Sequence, residues 1–117
     1  MGPTLLRRTL LAPAESEETF PFGAQTSVFK VRGKMFALTH LRGRPLKVSL
    51  KCEPELGERL RESYAAIAPG YHLNKRHWIT VTVGELPHPM VRDLIEDSYD
   101  LVVAKLPRAA RLALTHD

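Results

Sequence analysis

A chain of 117 residues, 44% hydrophobic and 26% charged, has the size and composition of one globular domain, so residues 1–117 are assigned to a single core. No stretch approaches the roughly 18 apolar residues of a membrane span. The cations of Leu5-Leu6-Arg7-Arg8 break what would otherwise read as a secretory signal, and one cysteine, Cys52, excludes an internal disulfide and an all-cysteine metal site. A net charge of +4 biases the chain modestly towards anionic partners, and the lone thiol suits a reducing cytoplasm.

In chain order, the pattern predicts a first helix over residues 3–12, with Leu5, Leu6, Thr9 and Leu10 inward and Arg7 and Arg8 outward. Pro13 ends it. An acid-rich loop over 14–23 carries Glu15, Glu17 and Glu18 and closes on Phe20-Pro21-Phe22-Gly23, whose phenylalanines are expected to plug one end of the core. Three strands follow over 27–31, 34–41 and 46–52, turned by Arg32-Gly33 and by Arg42-Gly43-Arg44. The third alternates most clearly: Leu46, Val48, Leu50 and Cys52 face one way, Lys47, Ser49 and Lys51 the other. A second helix over 54–64 starts at Pro54 and buries Leu56, Leu60 and Tyr64, with Glu53 a weak N-cap. A strand over 78–83 puts Ile79, Val81 and Val83 opposite Trp78, Thr80 and Thr82. The last helix, over 87–105, carries the stripe Val91, Leu94, Ile95, Ser98 and Val102 until Pro107 stops it, and 108–117 adds a weak basic terminal turn. The sum is an α+β domain of order α-β-β-β-α-β-α, an antiparallel sheet with helices on one face.

The chemistry concentrates in residues 69–78, which hold two of the five histidines, the only tryptophan, a tyrosine and two adjacent cations. Pro69-Gly70 and Asn74 form turns, so this is a basic, aromatic loop running into a strand. If the strands share a sheet, Lys47, Lys51, Lys75, Arg76 and His77 offer cations to phosphate and Trp78 a platform to sugar or base. Two readings stand for Trp78, as that platform or as a cap on the edge of the core. Tyr71 is expected to be packed with its hydroxyl at the surface, and His72 to hold the loop by hydrogen bonds. The spacing of His72 and His77 matches no zinc motif, so no metal and no cofactor is expected. Cys52 points into the core as an inert thiol. The Arg32-Gly33-Lys34 and Arg42-Gly43-Arg44 turns read equally as plain hairpins or as basic wings on a DNA backbone. No nucleophile with its base and no phosphate-binding glycine loop appears, so a non-catalytic protein is expected.

Four motifs in order, Phe20-Pro21-Phe22-Gly23, Lys51-Cys52-Glu53-Pro54-Glu55, the stretch from Gly70 to Trp78, and Asp97-Ser98-Tyr99 leading to Val102-Val103-Ala104-Lys105-Leu106-Pro107, resemble those of the MmcQ/YjbR family of small bacterial proteins. The resemblance implies a fold similar to the frataxin-like fold and a DNA-binding role, and brings no catalytic residues. An iron carrier of frataxin type would need an acidic ridge on the first helix, where this chain has Arg7 and Arg8. The reading from sequence is therefore a binder of double-stranded DNA with little sequence preference. Its alternatives are a small-molecule or anion module, or an unrecognised enzyme, centred on Tyr71, His72, Lys75 and His77, and a protein-interaction domain using the wet sheet face.

Overall fold

The computed structural model describes residues 1–115. Its elements are α1 (Pro3–Leu11), β1 (Glu17–Thr19), β2 (Ser27–Val31), β3 (Lys34–Thr39), β4 (Lys47–Lys51), α2 (Pro54–Ser63), β5 (Ile67–Pro69), β6 (Trp78–Thr82), a short 3₁₀ turn (Val83–Glu85), α3 (His88–Ala104) and α4 (Arg108–Thr115). The strands form one antiparallel sheet of order β1-β2-β3-β4-β6-β5. On one face, Leu6 and Leu10 of α1 and Val91, Ile95 and Val102 of α3 close over Phe29, Val48, Leu50, Ile79 and Val81. The other face carries no helix, as the alternation in β4 and β6 requires. There Lys47, Ser49 and Lys51 stand opposite Thr82, Thr80 and Trp78.

The expected order omits three elements. β1 lies inside the acid-rich loop; at three residues it shows no period, and it is an edge strand held by β2 alone, with Glu17 opposite Lys30. Its acids have specific work: Glu18 pairs with Arg7 at 2.7 Å and accepts from the Ser27 hydroxyl, also at 2.7 Å. β5 is equally short and ends on Pro69, which an edge strand tolerates. The expected terminal turn is the helix α4, whose Ala110 and Leu114 lean on the core; positions 116 and 117 lie outside the described residues.

Packing corrects three further expectations. Phe20 and Phe22 do not plug the core: they are 51% and 68% exposed in the loop between β1 and β2. Tyr64 is exposed and Leu56 and Leu60 half-buried, because α2 approaches the sheet through Gly57, where an added Cβ would lie 3.6 Å from Ile79 Cγ2 and 3.8 Å from Cys52 Sγ. The Arg42-Gly43-Arg44 segment is not a tight hairpin but part of a loop over 40–46 containing a cis Arg44–Pro45 peptide bond. Arg32-Gly33 is the tight turn expected, with positive φ at both residues (50° and 78°).

The layers are joined at one point. Lys30 pairs with Met35 and Phe29 with Ala37, so Phe36 is an extra residue in β3. This bulge sends Phe36 and Ala37, neighbours in sequence, into the same core. Phe36 thereby has no ladder partner. Ser98 of α3 replaces one: its hydroxyl donates to the Phe36 carbonyl at 2.6 Å and accepts from the Lys51 N–H at 2.9 Å. Tyr99 adds an edge-to-face contact with Phe36 (5.5 Å, 87°) and donates to the Ala14 carbonyl at 2.7 Å. Ser98→Ala removes the donor and the acceptor together and strands a carbonyl and an N–H in the interior. It should cost about 1–3 kcal/mol in urea unfolding at unchanged m, and a loss below about 0.5 kcal/mol would mean that the two backbone groups find each other without Ser98.

Candidate functional site

The loop between β5 and β6 is built by its own turn residues. Gly70 donates its N–H to the Trp78 carbonyl at 2.9 Å, and a Cβ at this position would sit 2.6 Å from Trp78 Cβ, so only glycine admits so close an approach. Asn74 Oδ1 accepts from the N–H groups of Arg76 (2.9 Å) and His77 (3.2 Å), a side-chain-closed turn. Lys75 Nζ donates to the Gly70 carbonyl at 3.2 Å and braces the loop. His77 gives its carbonyl to Cys52 N–H at 2.9 Å, tying the loop to the end of β4. His72 sits at φ 56° with its ring 4.0 Å from that of Tyr71; among the described residues it makes no hydrogen bond, so the loop is held by Asn74 and Lys75 in its place.

This geometry divides the expected site residues. Trp78 lies on the helix-free face but is only 6% exposed, with Lys51 Nζ 5.9 Å from its ring centre. It offers no free ring face to a base and belongs to the packing beneath the loop, which decides between its two readings. Tyr71, by contrast, is 70% exposed and not packed. Lys51, Asn74, His77 and Trp78 line one cleft of about 290 Å³ together with Lys105 from the end of α3 and one acid, Glu53. Lys47 and Tyr71 line another, of about 430 Å³, over the middle of the same face. Lys47 and Lys51 are thus separated by four residues of strand, roughly 13 Å. The alternative set is divided as well, since Tyr71 and His77 belong to different clefts.

Sequence reasoning had Lys34 only as part of a basic wing with Arg32 and Gly33, and missed Lys105 as a cation of the site. Lys34 begins β3 and Lys105 follows α3; only the fold brings them to the end of β4. The amine of Lys51 is held below its ordinary titration range, first by burial and then by the positive charges of Lys105 and Lys34. Arg32 at the neighbouring turn is committed elsewhere, 2.7 Å from Glu15. Cys52 is buried, and burial followed by the charges of Asp97 and Glu53 pushes its thiol up, away from the thiolate a nucleophile or ligand needs. Among the described residues no three His, Cys, Asp or Glu side chains come together as a metal site.

An antiparallel sheet covered on one face by helices, with basic residues gathered at one end of the sheet, is the class this chain represents. The model of the YjbR family matches residues 11–101, and the chain belongs to that family. It is 45% identical over 94 residues to the uncharacterized protein YbdF of Escherichia coli O157:H7, covering 79% of this chain and 76% of that one. It is 36% identical over 106 residues to the uncharacterized protein YjbR of Escherichia coli strain K12, covering 89% of each. Its fold matches the crystal structure of protein DR2400 of Deinococcus radiodurans at a TM-score of 0.90 and 44% identity, over 97% of this chain and 87% of that one. A Pseudomonas syringae protein matches at 0.74 and 28%, over 86% of this chain and 98% of that one.

Repulsion at the end of β4 has a measurable sign. Lys105→Gln removes one of the two charges acting on Lys51 and leaves the burial, so Lys51 should titrate at higher pH by NMR than in the parent protein. Because the folded value lies below the ordinary one near 10.5, the charged form penalises the fold at lower pH. That penalty is relieved as pH rises from the folded value towards 10.5, and the relief should be smaller in Lys105→Gln. An unchanged Lys51 titration would separate the two lysines.

Proposed function

We propose that this protein is a non-catalytic, cytoplasmic binder of nucleic acid that grips duplex phosphates at the end of the sheet where Lys34, Lys51 and Lys105 converge beside Arg76 and His77. The observation that supports this most is the crowding of the three lysines: Lys105 and Lys34 both bear on the Lys51 amine, and neither is in an ion pair among the described residues. Folding them together works against the fold, and a polyanion offsets that cost, with Glu53, Asp97 and Asp100, which line the adjoining cleft with Lys51, set against it. With Trp78 buried, the remaining groups are point charges without a base platform, which favours backbone contact on a duplex over stacking on a single strand. Lys47 leaves the proposed interface, and Lys75, whose amine braces the loop on the Gly70 carbonyl, is not counted in it. The frataxin-like comparison enters this reading as shape alone, since the first turn of α1 carries no acid.

A salt titration of duplex binding tests it. Four contacts, from Lys34, Lys51, Lys105 and Arg76, should give log affinity against log salt a slope of roughly −3 to −4, at about −0.9 per phosphate. Lys105→Ala and Arg76→Ala should each flatten the slope by about one and weaken all sequences alike. Absence of binding at low salt, or a slope indifferent to both variants, would remove the nucleic-acid reading.

A further inference from the structure

From the second cleft on the helix-free face, we infer that the protein has a separate site for a small aromatic carboxylate with a hydrogen-bond acceptor on the far side of its ring. The floor of this cleft is the cross-strand pair Ser49 and Thr80, whose hydroxyl oxygens lie 2.9 Å apart. Thr80 Oγ1 also accepts from the Tyr71 N–H at 3.0 Å. The two hydroxyls carry two protons and share one bond, so one proton is surplus whichever oxygen donates. Among the described residues no further acceptor meets it, although Ser49 and Thr80 are only 5% and 9% exposed. That hydroxyl proton is free to donate to an acceptor on an occupant of the cleft, in place of solvent.

The walls define the rest of that occupant. Tyr71 presents an exposed ring and Pro45 lines the same cleft, surfaces suited to a flat apolar body. Lys47 and Arg44 supply cations, and no carboxylate lines the cleft among the described residues. Lys47 is two residues from Ser49 along β4, roughly 7 Å. A ring with its carboxylate at Lys47 therefore carries its opposite edge to the surplus donor. The volume of about 430 Å³ accommodates one such molecule and lies within the usual range for ligand clefts.

The site shares no charged residue with the proposed phosphate surface, so the two can be tested apart. The probe is 4-hydroxybenzoate, followed by amide NMR shifts. It should perturb Ser49, Tyr71 and Thr80 while leaving Lys105 unmoved. Lys47→Ala should weaken it about tenfold through the lost charge-assisted contact. Tyr71→Ser, at an exposed position that the fold does not require, should weaken it by a comparable factor. Lys51→Ala should leave it unchanged. Benzoate, lacking the acceptor, and 4-hydroxybenzamide, lacking the charge, should each bind several-fold more weakly. Equal binding of either analogue, the same shifts at the same affinity from inorganic phosphate, shifts centred on Lys51 and Lys105, or no shifts from 4-hydroxybenzoate would each overturn the assignment. Apart from shifts centred on Lys51 and Lys105, which would place anion binding at the phosphate surface, none of these outcomes bears on duplex binding.

Discussion

One hydroxyl joins the two layers of this protein. The bulge at Phe36 lets two consecutive side chains enter the core, but it removes a backbone carbonyl from the ladder and leaves the Lys51 N–H without that partner. Both groups are needed in a region where water does not compete, and Ser98 satisfies both at once. The helix cannot slide along the sheet without breaking this bridge. Tyr99, one residue on, extends the same anchor through Phe36 and to the carbonyl of Ala14 beyond α1. The Asp97-Ser98-Tyr99 motif is accordingly a device for registering α3 on the sheet.

That registration decides where charge appears. α3 ends at Ala104, so fixing Ser98 fixes Lys105 about two turns further on, near the end of β4. The N–H of Lys51 accepts its position from Ser98, while its amine feels Lys105 and Lys34. A structural bond and a crowded charge thus share a residue: the backbone of Lys51 serves the fold, and its amine stands among like charges. The repulsion is tolerated because the bridge beneath it, the core around Leu50 and the loop tie from His77 to Cys52 together outweigh charges that are partly in water.

How much of this was legible follows from which signals are local. The alternation in β4 and β6 named both faces of the sheet correctly, because burying one face imposes a period of two. The three-residue strands β1 and β5 have no room for a period and exist only because a neighbour pairs with them. β3 breaks its own alternation at the bulge. Phe20 and Phe22 were misplaced because hydrophobicity argues for burial only when a chain can reach the core, and their loop turns at the outer edge of the sheet, between β1 and β2. At the site, the loop residues were identifiable as turn formers and cations and Lys34 as part of a basic turn, but the meeting of Lys34 and Lys105 with Lys51 was not, since it depends on three separate elements.

The same distinction explains the roles of the two large aromatics of the 69–78 stretch. Both belong to one loop and both invite a binding role by composition. Gly70 resolves them in opposite directions: its approach to Trp78 closes the chain over the indole, and the backbone then emerges so that Tyr71 N–H meets Thr80 and its ring stands in solvent. The buried aromatic packs beneath the loop, and the exposed one stands at the wall of the second cleft. The surface is thereby divided along β4, with a basic cleft at the Lys51 end, where the sheet meets the end of α3, and a flat, mostly apolar cleft between Lys47 and Tyr71. A strand whose outward residues alternate Lys47, Ser49 and Lys51 would be expected to present one uniform basic surface. The Ser49–Thr80 pair interrupts it with a shielded hydroxyl, and that interruption turns one face into two chemically different surfaces.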